Sequence, residues 1–155
     1  KMNYEKIHHP FIPKFYGTVK YDKLDYIIIE FINGQTLNDC KFDKFNEDDI
    51  IQIINQLLDI VEYFHDNNFL IRDLKPNNLM ITKQKEIFMI DFDRVVIKSN
   101  ETHTGELCNE FSAPEVNENG LHSEKSDIFS LGKVIEFIYW KKLIKELKYQ
   151  QSMIL

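Results

Sequence analysis

Apolar positions fall into two long stripes and several short runs. Ile50, Ile53, Ile54, Leu57, Leu58, Val61 and Phe64 recur at three- and four-residue steps, as one buried helix face requires. Ile51 and Ile60 widen the stripe, predicting a helix buried on much of its surface. Asn46 reads as its N-cap, and Glu47, Asp48 and Asp49 complement the helix dipole in the first turn. Asp66-Asn67-Asn68 closes it. A second stripe contains Ile128, Phe129, Leu131, Val134, Ile135, Phe137 and Ile138, with Ser123 or Ser126 as its cap. The following segment, Lys141 to Tyr149, is basic and amphipathic, and Lys141, Lys142, Lys145 and Lys148 read as a solvated face.

Shorter runs predict strands. Tyr26 to Ile32 is β-branched and aromatic and is closed by Asn33-Gly34, which reads as a buried strand ending in a turn. Lys14 to Val19 reads as its partner, joined through a charged loop from Lys20 to Asp25. Three very short strands follow the first helix: Phe69 to Ile71, Leu79 to Ile81, and Ile87 to Ile90. Arg94 to Val116 reads as irregular. Tyr16, Phe31, Phe64 and Phe88 read as core or hinge packing, and His8, His65, His103 and His122 carry no assigned role.

Composition narrows the class. A chain of 155 residues, 43% hydrophobic and 13% aromatic, is long and apolar enough for one folded domain. Its net charge of -6 argues against general attraction to nucleic acid or anionic lipid. Cys40 and Cys108 lack metal-site spacing and read as free thiols in a reducing compartment. No apolar run approaches the ~18 residues of a membrane span, and no signal peptide opens the chain. The expectation is a cytoplasmic protein without nucleic-acid or membrane partners. Lys1 at the start and the apolar Ile154-Leu155 at the end predict a partial domain.

Candidate chemistry sits between the short strands. Asp73 and Asn78 share one loop, and Asp91 follows the apolar run Ile87 to Ile90. Two carboxylates and an amide at neighbouring strand ends can converge. Such oxygen ligands suit Mg²⁺, which takes one or two carboxylates plus substrate phosphates. Phosphoryl transfer asks for that kind of clamping and positioning rather than covalent chemistry.

Arg72-Asp73-Leu74-Lys75-Pro76-Asn77-Asn78 resembles the catalytic loop H-R-D-L-x-x-x-N of protein kinases, with Ile71 in the His place. Asp91-Phe92-Asp93 resembles D-F-G, Ala113-Pro114-Glu115 matches A-P-E, and Asp127 to Gly132 resembles D-x-W-S-x-G. His9-Pro10 and Ile29-Glu30-Phe31-Ile32 fall where that family has the H-P after its regulatory helix and its gatekeeper and hinge. All six stand in the family's order.

The resemblance implies an α+β, partial protein-kinase-like fold: the end of the N-lobe and hinge over residues 1–32, and a mainly helical C-lobe over 33–155. It implies serine/threonine protein kinase activity with ATP, Mg²⁺ and a protein substrate bearing a Ser or Thr acceptor. Asp73 would orient the substrate hydroxyl, Lys75 would steady the γ-phosphate, and Asn78 and Asp91 would hold the metal. The backbone of Glu30 and Ile32 would hydrogen-bond adenine. Glu115 would anchor the activation segment, and Asp127 would tie the second helix to the catalytic loop. Arg72 would read phosphorylation of Ser99, Thr102 or Thr104.

Departures from the family pattern are specific. A Gly-rich loop and the strand Lys are not in the chain, Glu5 stands too late for the regulatory-helix Glu, and the last C-lobe helices are not reached. An isolated piece of this kind is expected to be inactive or weak. Ile71 replaces the motif His, Asp93 replaces Gly, and Leu107-Cys108 stands where many members have Gly-Thr. Asp93 reads equally as a loop acid beside Arg94 or as a metal-proximal carboxylate. These changes motivate one alternative, a pseudokinase scaffold. Ile90-Asp91-Phe92-Asp93 also resembles a stretch of aminoglycoside- and choline-kinase-like enzymes, which gives a small-molecule kinase of the same fold as the other.

Overall fold

The computed structural model describes residues 7–98 and 109–152, with side chains as far as 144. Glu5, Ser99, Thr102, His103, Thr104, Leu107, Cys108 and the side chains of Lys145 and Lys148 lie outside the described residues.

The chain opens with an antiparallel hairpin, β1 (Phe15–Tyr21) and β2 (Leu24–Ile29). Asp22 and Lys23 form its two-residue turn with φ of 47° and 64°. Paired left-handed residues match the right-handed twist of the strands they connect. The sequence predicts β2 as buried, but Tyr26, Ile27 and Ile28 are 44%, 45% and 46% exposed. Among the described residues β2 pairs with β1 alone, so a strand pattern suited to a larger sheet is left with open faces. Tyr16 and Phe31 are likewise exposed rather than packed.

The next sheet has the order β3 (Gly34–Thr36), β5 (Leu79–Thr82), β6 (Ile87–Met89), with both pairings antiparallel. At Gly34 a Cβ would lie 2.5 Å from the Ile81 carbonyl oxygen, so only glycine lets the two backbones approach this closely. β4 (Phe69–Leu70) pairs with β7 (Val96–Ile97) inside the stretch expected to be irregular. That stretch also holds the start of α2 (Pro114–Asn119), which Gly120 ends in the left-handed conformation at φ 67°.

Helix α1 (Glu47–Asp66) begins with a reciprocal cap. The Asp49 N–H donates to Asn46 Oδ1 at 2.8 Å, and the Asn46 N–H donates to Asp49 Oδ2 at 3.0 Å. Ile50, Ile53, Leu57, Ile60, Val61 and Phe64 are buried, each contributing roughly 1.5–3 kcal/mol relative to exposure. Ile51 and Leu58 are exposed instead. They lie off the narrower stripe that meets the core. Gln56 is buried within that stripe and accepts from the Ile87 N–H at 2.8 Å while donating to the Lys85 carbonyl at 2.9 Å. One amide thus locks the β5–β6 turn onto the helix.

The second stripe and the segment after it form one helix, α3 (Glu124–Ser152). Ser123 precedes it and exchanges backbone-to-hydroxyl bonds with Ser126 at 2.9 and 3.4 Å. Leu131, Val134 and Ile138 join the α1 core, whereas Ile128 and Phe129 are exposed. Lys142 is buried and pairs with Glu47 at the start of α1, so the predicted solvated lysine face does not include it. Lys141 Nζ donates to the Asn38 carbonyl.

Candidate active site

The loop between β4 and β5 takes its shape from α3. Asp127 is 1% exposed. Its Oδ1 accepts from the Arg72 N–H at 2.8 Å and its Oδ2 from the Ile71 N–H at 2.9 Å. Arg72 holds φ at 70°, a conformation costing an L-residue roughly 1–2 kcal/mol. Two charge-assisted bonds to one buried carboxylate offset that strain. His65, in the last turn of α1, adds Nε2 at 3.0 Å from Asp127 Oδ2. Sequence reasoning gave His65 no role. No spacing in the sequence pairs it with Asp127, which lies 62 positions away.

Beyond Arg72 the chain turns through a 3-10 segment, Pro76–Asn78, whose Asn78 N–H donates to the Lys75 carbonyl at 3.0 Å. This brings three sequence-predicted residues together. Lys75 Nζ lies 2.7 Å from Asp73 Oδ2. Asn78 is 6% exposed and its Nδ2 donates to the same Oδ2 at 3.0 Å and to the Asp73 carbonyl at 2.9 Å. With Nδ2 spent in this way, Asn78 Oδ1 is the atom left to meet a cation. Asp73 Oδ1 faces a residue from a distant segment: Asn109 Nδ2 stands 3.5 Å away.

Asp91 reaches the site through the β6 end. The Ile90 N–H donates to the Asn78 carbonyl at 3.0 Å, so the residue before Asp91 is fixed on the loop that carries Asp73. Asp91 is exposed, and its Oδ1 accepts from the Asp93 N–H at 3.0 Å. Phe92 turns inward, 4% exposed, with its ring 6.2 Å from Phe64 of α1. Asp93 is exposed. Among the described residues no group of three or more His, Cys, Asp or Glu side chains gathers as a metal cluster. Asn78 Oδ1 and the exposed Asp91 carboxylate are oxygen donors of the type that would suit an ion keeping most of its ligands from water and phosphate.

The remaining predicted residues flank this centre. The Glu30 N–H donates to the Lys14 carbonyl at 2.8 Å, and the Ile32 carbonyl accepts from the Gly34 N–H at 3.0 Å. These bonds use groups other than the Glu30 carbonyl and the Ile32 N–H. Glu115 is half-buried in the first turn of α2. Burial, followed by the nearby Arg94 charge, holds the Arg72 guanidinium below its ordinary pKa, while Asp127 opposes the shift. A cavity of about 740 Å³ opens beside Ile7, His9, Ile12 and Lys14, and its lining includes none of Asp73, Asn78 and Asp91.

A strained loop seated on a buried helix carboxylate thus brings Asp73, Lys75 and Asn78 to one centre. The protein kinase domain model matches residues 2–154. The chain belongs to the protein kinase family, with a mixed strand and helix architecture and a helical C-lobe. It is 32% identical over 145 residues to the dual specificity protein kinase zak2 of Dictyostelium discoideum, covering 86% of this chain and 22% of that one. It is 33% identical over 138 residues to the calcium/calmodulin-dependent protein kinase cmkA of Emericella nidulans, covering 84% and 33%. It is 29% identical over 133 residues to the serine/threonine-protein kinase PrkC of Bacillus subtilis, covering 82% and 20%. The chain therefore spans about a fifth to a third of the length of these relatives. Among the described residues no helix is long and apolar enough to cross a membrane.

Proposed function

We propose that this chain carries the hydroxyl-orienting and metal-holding part of an ATP-dependent serine/threonine protein kinase. The supporting observation is how the two oxygens of Asp73 divide. Oδ2 is taken by Lys75 and Asn78 at 2.7 and 3.0 Å, which leaves Oδ1 as the acceptor for a substrate hydroxyl. The hydroxyl oxygen attacks the γ-phosphorus of ATP, the bond from that phosphorus to the β–γ bridging oxygen breaks, ADP leaves, and the hydroxyl proton passes to Asp73 Oδ1. Lys75, 2.7 Å from Asp73, would steady the γ-phosphate. Asn78 Oδ1 and Asp91 would hold Mg²⁺, which when bound neutralises charge on the phosphate oxygens. The Glu30 carbonyl and the Ile32 N–H are the hinge groups for adenine.

In this reading residues 1–32 end the N-lobe and hinge, and 33–155 belong to the C-lobe. Arg72 beside Arg94 forms a cationic spot suited to a phosphate on Ser99, Thr102 or Thr104. Glu115 anchors the activation segment. The cytoplasm supplies the ATP and protein acceptors this chemistry needs.

The test is Asp73→Asn in the chain with upstream kinase sequence restored to supply a Gly-rich loop and strand Lys, assayed with Mg-ATP and casein and read by phosphoserine and phosphothreonine mass spectrometry. The substitution removes the proton acceptor but keeps a side-chain oxygen for Lys75 or Asn78. Transfer falls by about 10²-fold or more if Asp73 is the general base. Unchanged phosphorylation by this variant overturns the proposal.

A further inference from the structure

We infer that Asn109 is a positioning residue for Asp73, holding its Oδ1 toward the substrate hydroxyl. The inference rests on the kinase reading above and adds a residue to it. Asn109 lies 36 positions from Asp73 in sequence, and its Nδ2 stands 3.5 Å from Asp73 Oδ1. The distance is long for a hydrogen bond, as catalytic contacts often are before substrate tightens them.

Two features make the contact directional. The first is the orientation of the amide. The Phe111 N–H donates to Asn109 Oδ1 at 2.8 Å, so the oxygen is committed to its own loop and Nδ2 points at Asp73. The Asn109 N–H in turn donates to Ser112 Oγ at 3.1 Å, and Phe111 is buried beneath. The second feature is the division of labour on Asp73. Lys75 and Asn78 both bond Oδ2, whereas Asn109 addresses Oδ1. Without Asn109 the carboxylate is held by one oxygen and can rotate about its Cβ–Cγ bond. With Asn109 the second oxygen has a fixed donor on one side and its remaining lone pair open to the acceptor hydroxyl.

Asn109 also precedes Ala113-Pro114-Glu115 by four residues. It therefore ties the segment entering α2 to the catalytic carboxylate. Displacing that segment removes the Asp73 contact at the same time.

The variants Asn109→Ala and Asn109→Asp separate this role from simple loop support. Aspartate retains an acceptor for the Phe111 N–H but loses the donor and sets a like charge against Asp73. Each variant is assayed with Mg-ATP and casein in the same chain with upstream kinase sequence restored. The expected result is a kcat about 10- to 100-fold lower in both variants, with KM for ATP unchanged. If Asn109→Asp keeps the parent kcat, Asn109 only supports its loop and the inference is overturned. If Asp73→Asn abolishes transfer while both Asn109 variants are fully active, the kinase reading stands and this inference fails. If Asp73→Asn is fully active, both fail. A readout independent of turnover is the Asn109 side-chain amide resonance in a ¹⁵N-labelled protein. It shifts on Asp73→Ala if the contact exists, and an unmoved resonance overturns the contact even where Asn109→Ala does not fold.

Discussion

His65 Nε2 lies 3.0 Å from Asp127 Oδ2, joining residues 62 positions apart at the ends of the two long helices. The same carboxylate receives the Ile71 and Arg72 N–H groups. One buried side chain therefore fixes the end of α1, the start of α3 and the backbone that carries Asp73.

This arrangement predicts strong coupling. His65→Ala removes one bond to a charged acceptor and should cost about 1.5–3 kcal/mol. Asp127→Ala strands two backbone donors and should cost more. In a double-mutant cycle read by urea unfolding, the pair should depart from additivity by about 0.5–3 kcal/mol. Additive losses would show that His65 and Asp127 act separately.

Gly34 supplies a steric prediction. An alanine Cβ there would meet the Ile81 carbonyl oxygen at 2.5 Å and its carbon at 2.9 Å. Both atoms are backbone of the central strand β5, so neither can swing aside. Gly34→Ala should destabilise by about 1–3 kcal/mol, the usual range for overpacking. A thermal midpoint equal to the parent's would mean that β3 separates from β5 without loss.

Cys40 is 2% exposed, and burial pushes its thiol up to about 11, with the Lys141 charge opposing and Asp43 adding to the shift. The thiolate is the reactive form, so at pH 8 Cys40 should resist iodoacetamide in the native protein and react once urea is added. Peptide mapping distinguishes it from Cys108. Rapid native labelling at Cys40 would contradict its place in the core.

Much of this was legible in the sequence, for reasons that differ by element. The first helix follows from local rules: Asn46 to Asp49 form the cap, and the apolar steps set its buried face. The meeting of Asp73, Lys75 and Asn78 is legible because they are close in sequence and converge with little help from elsewhere. Burial of β2 was misread because a run such as Tyr26 to Ile29 records what a strand suits, not which neighbours cover it. His65 and Asn109 were missed because their roles depend on contacts across 62 and 36 positions. No period or spacing encodes such contacts. Lys142 was misread for the same reason: its partner Glu47 is on another helix.

His9 gives a pH prediction with a definite sign. Its Nδ1 accepts from the Phe11 N–H at 3.2 Å, and its ring packs at 4.8 Å on Tyr63 and 5.5 Å on Phe11. Accepting at Nδ1 requires the neutral ring, and protonation would turn that acceptor into a donor facing a donor. Burial lowers the His9 pKa, with the Asp59 charge pulling the other way. The folded state therefore binds fewer protons than the unfolded state between the depressed value and the ordinary value of about 6.5. Stability rises with pH wherever the unfolded state holds more protons. The contribution of His9 is thus complete above about pH 6.5 and is lost as pH falls through the folded value. His9→Asn keeps a side-chain oxygen for the Phe11 N–H but has no titration. Thermal midpoints measured from pH 7.5 down to pH 5 should fall more steeply in the parent than in His9→Asn, because the two proteins differ only at this ring. Parallel curves would show that His9 does not contribute to acid sensitivity.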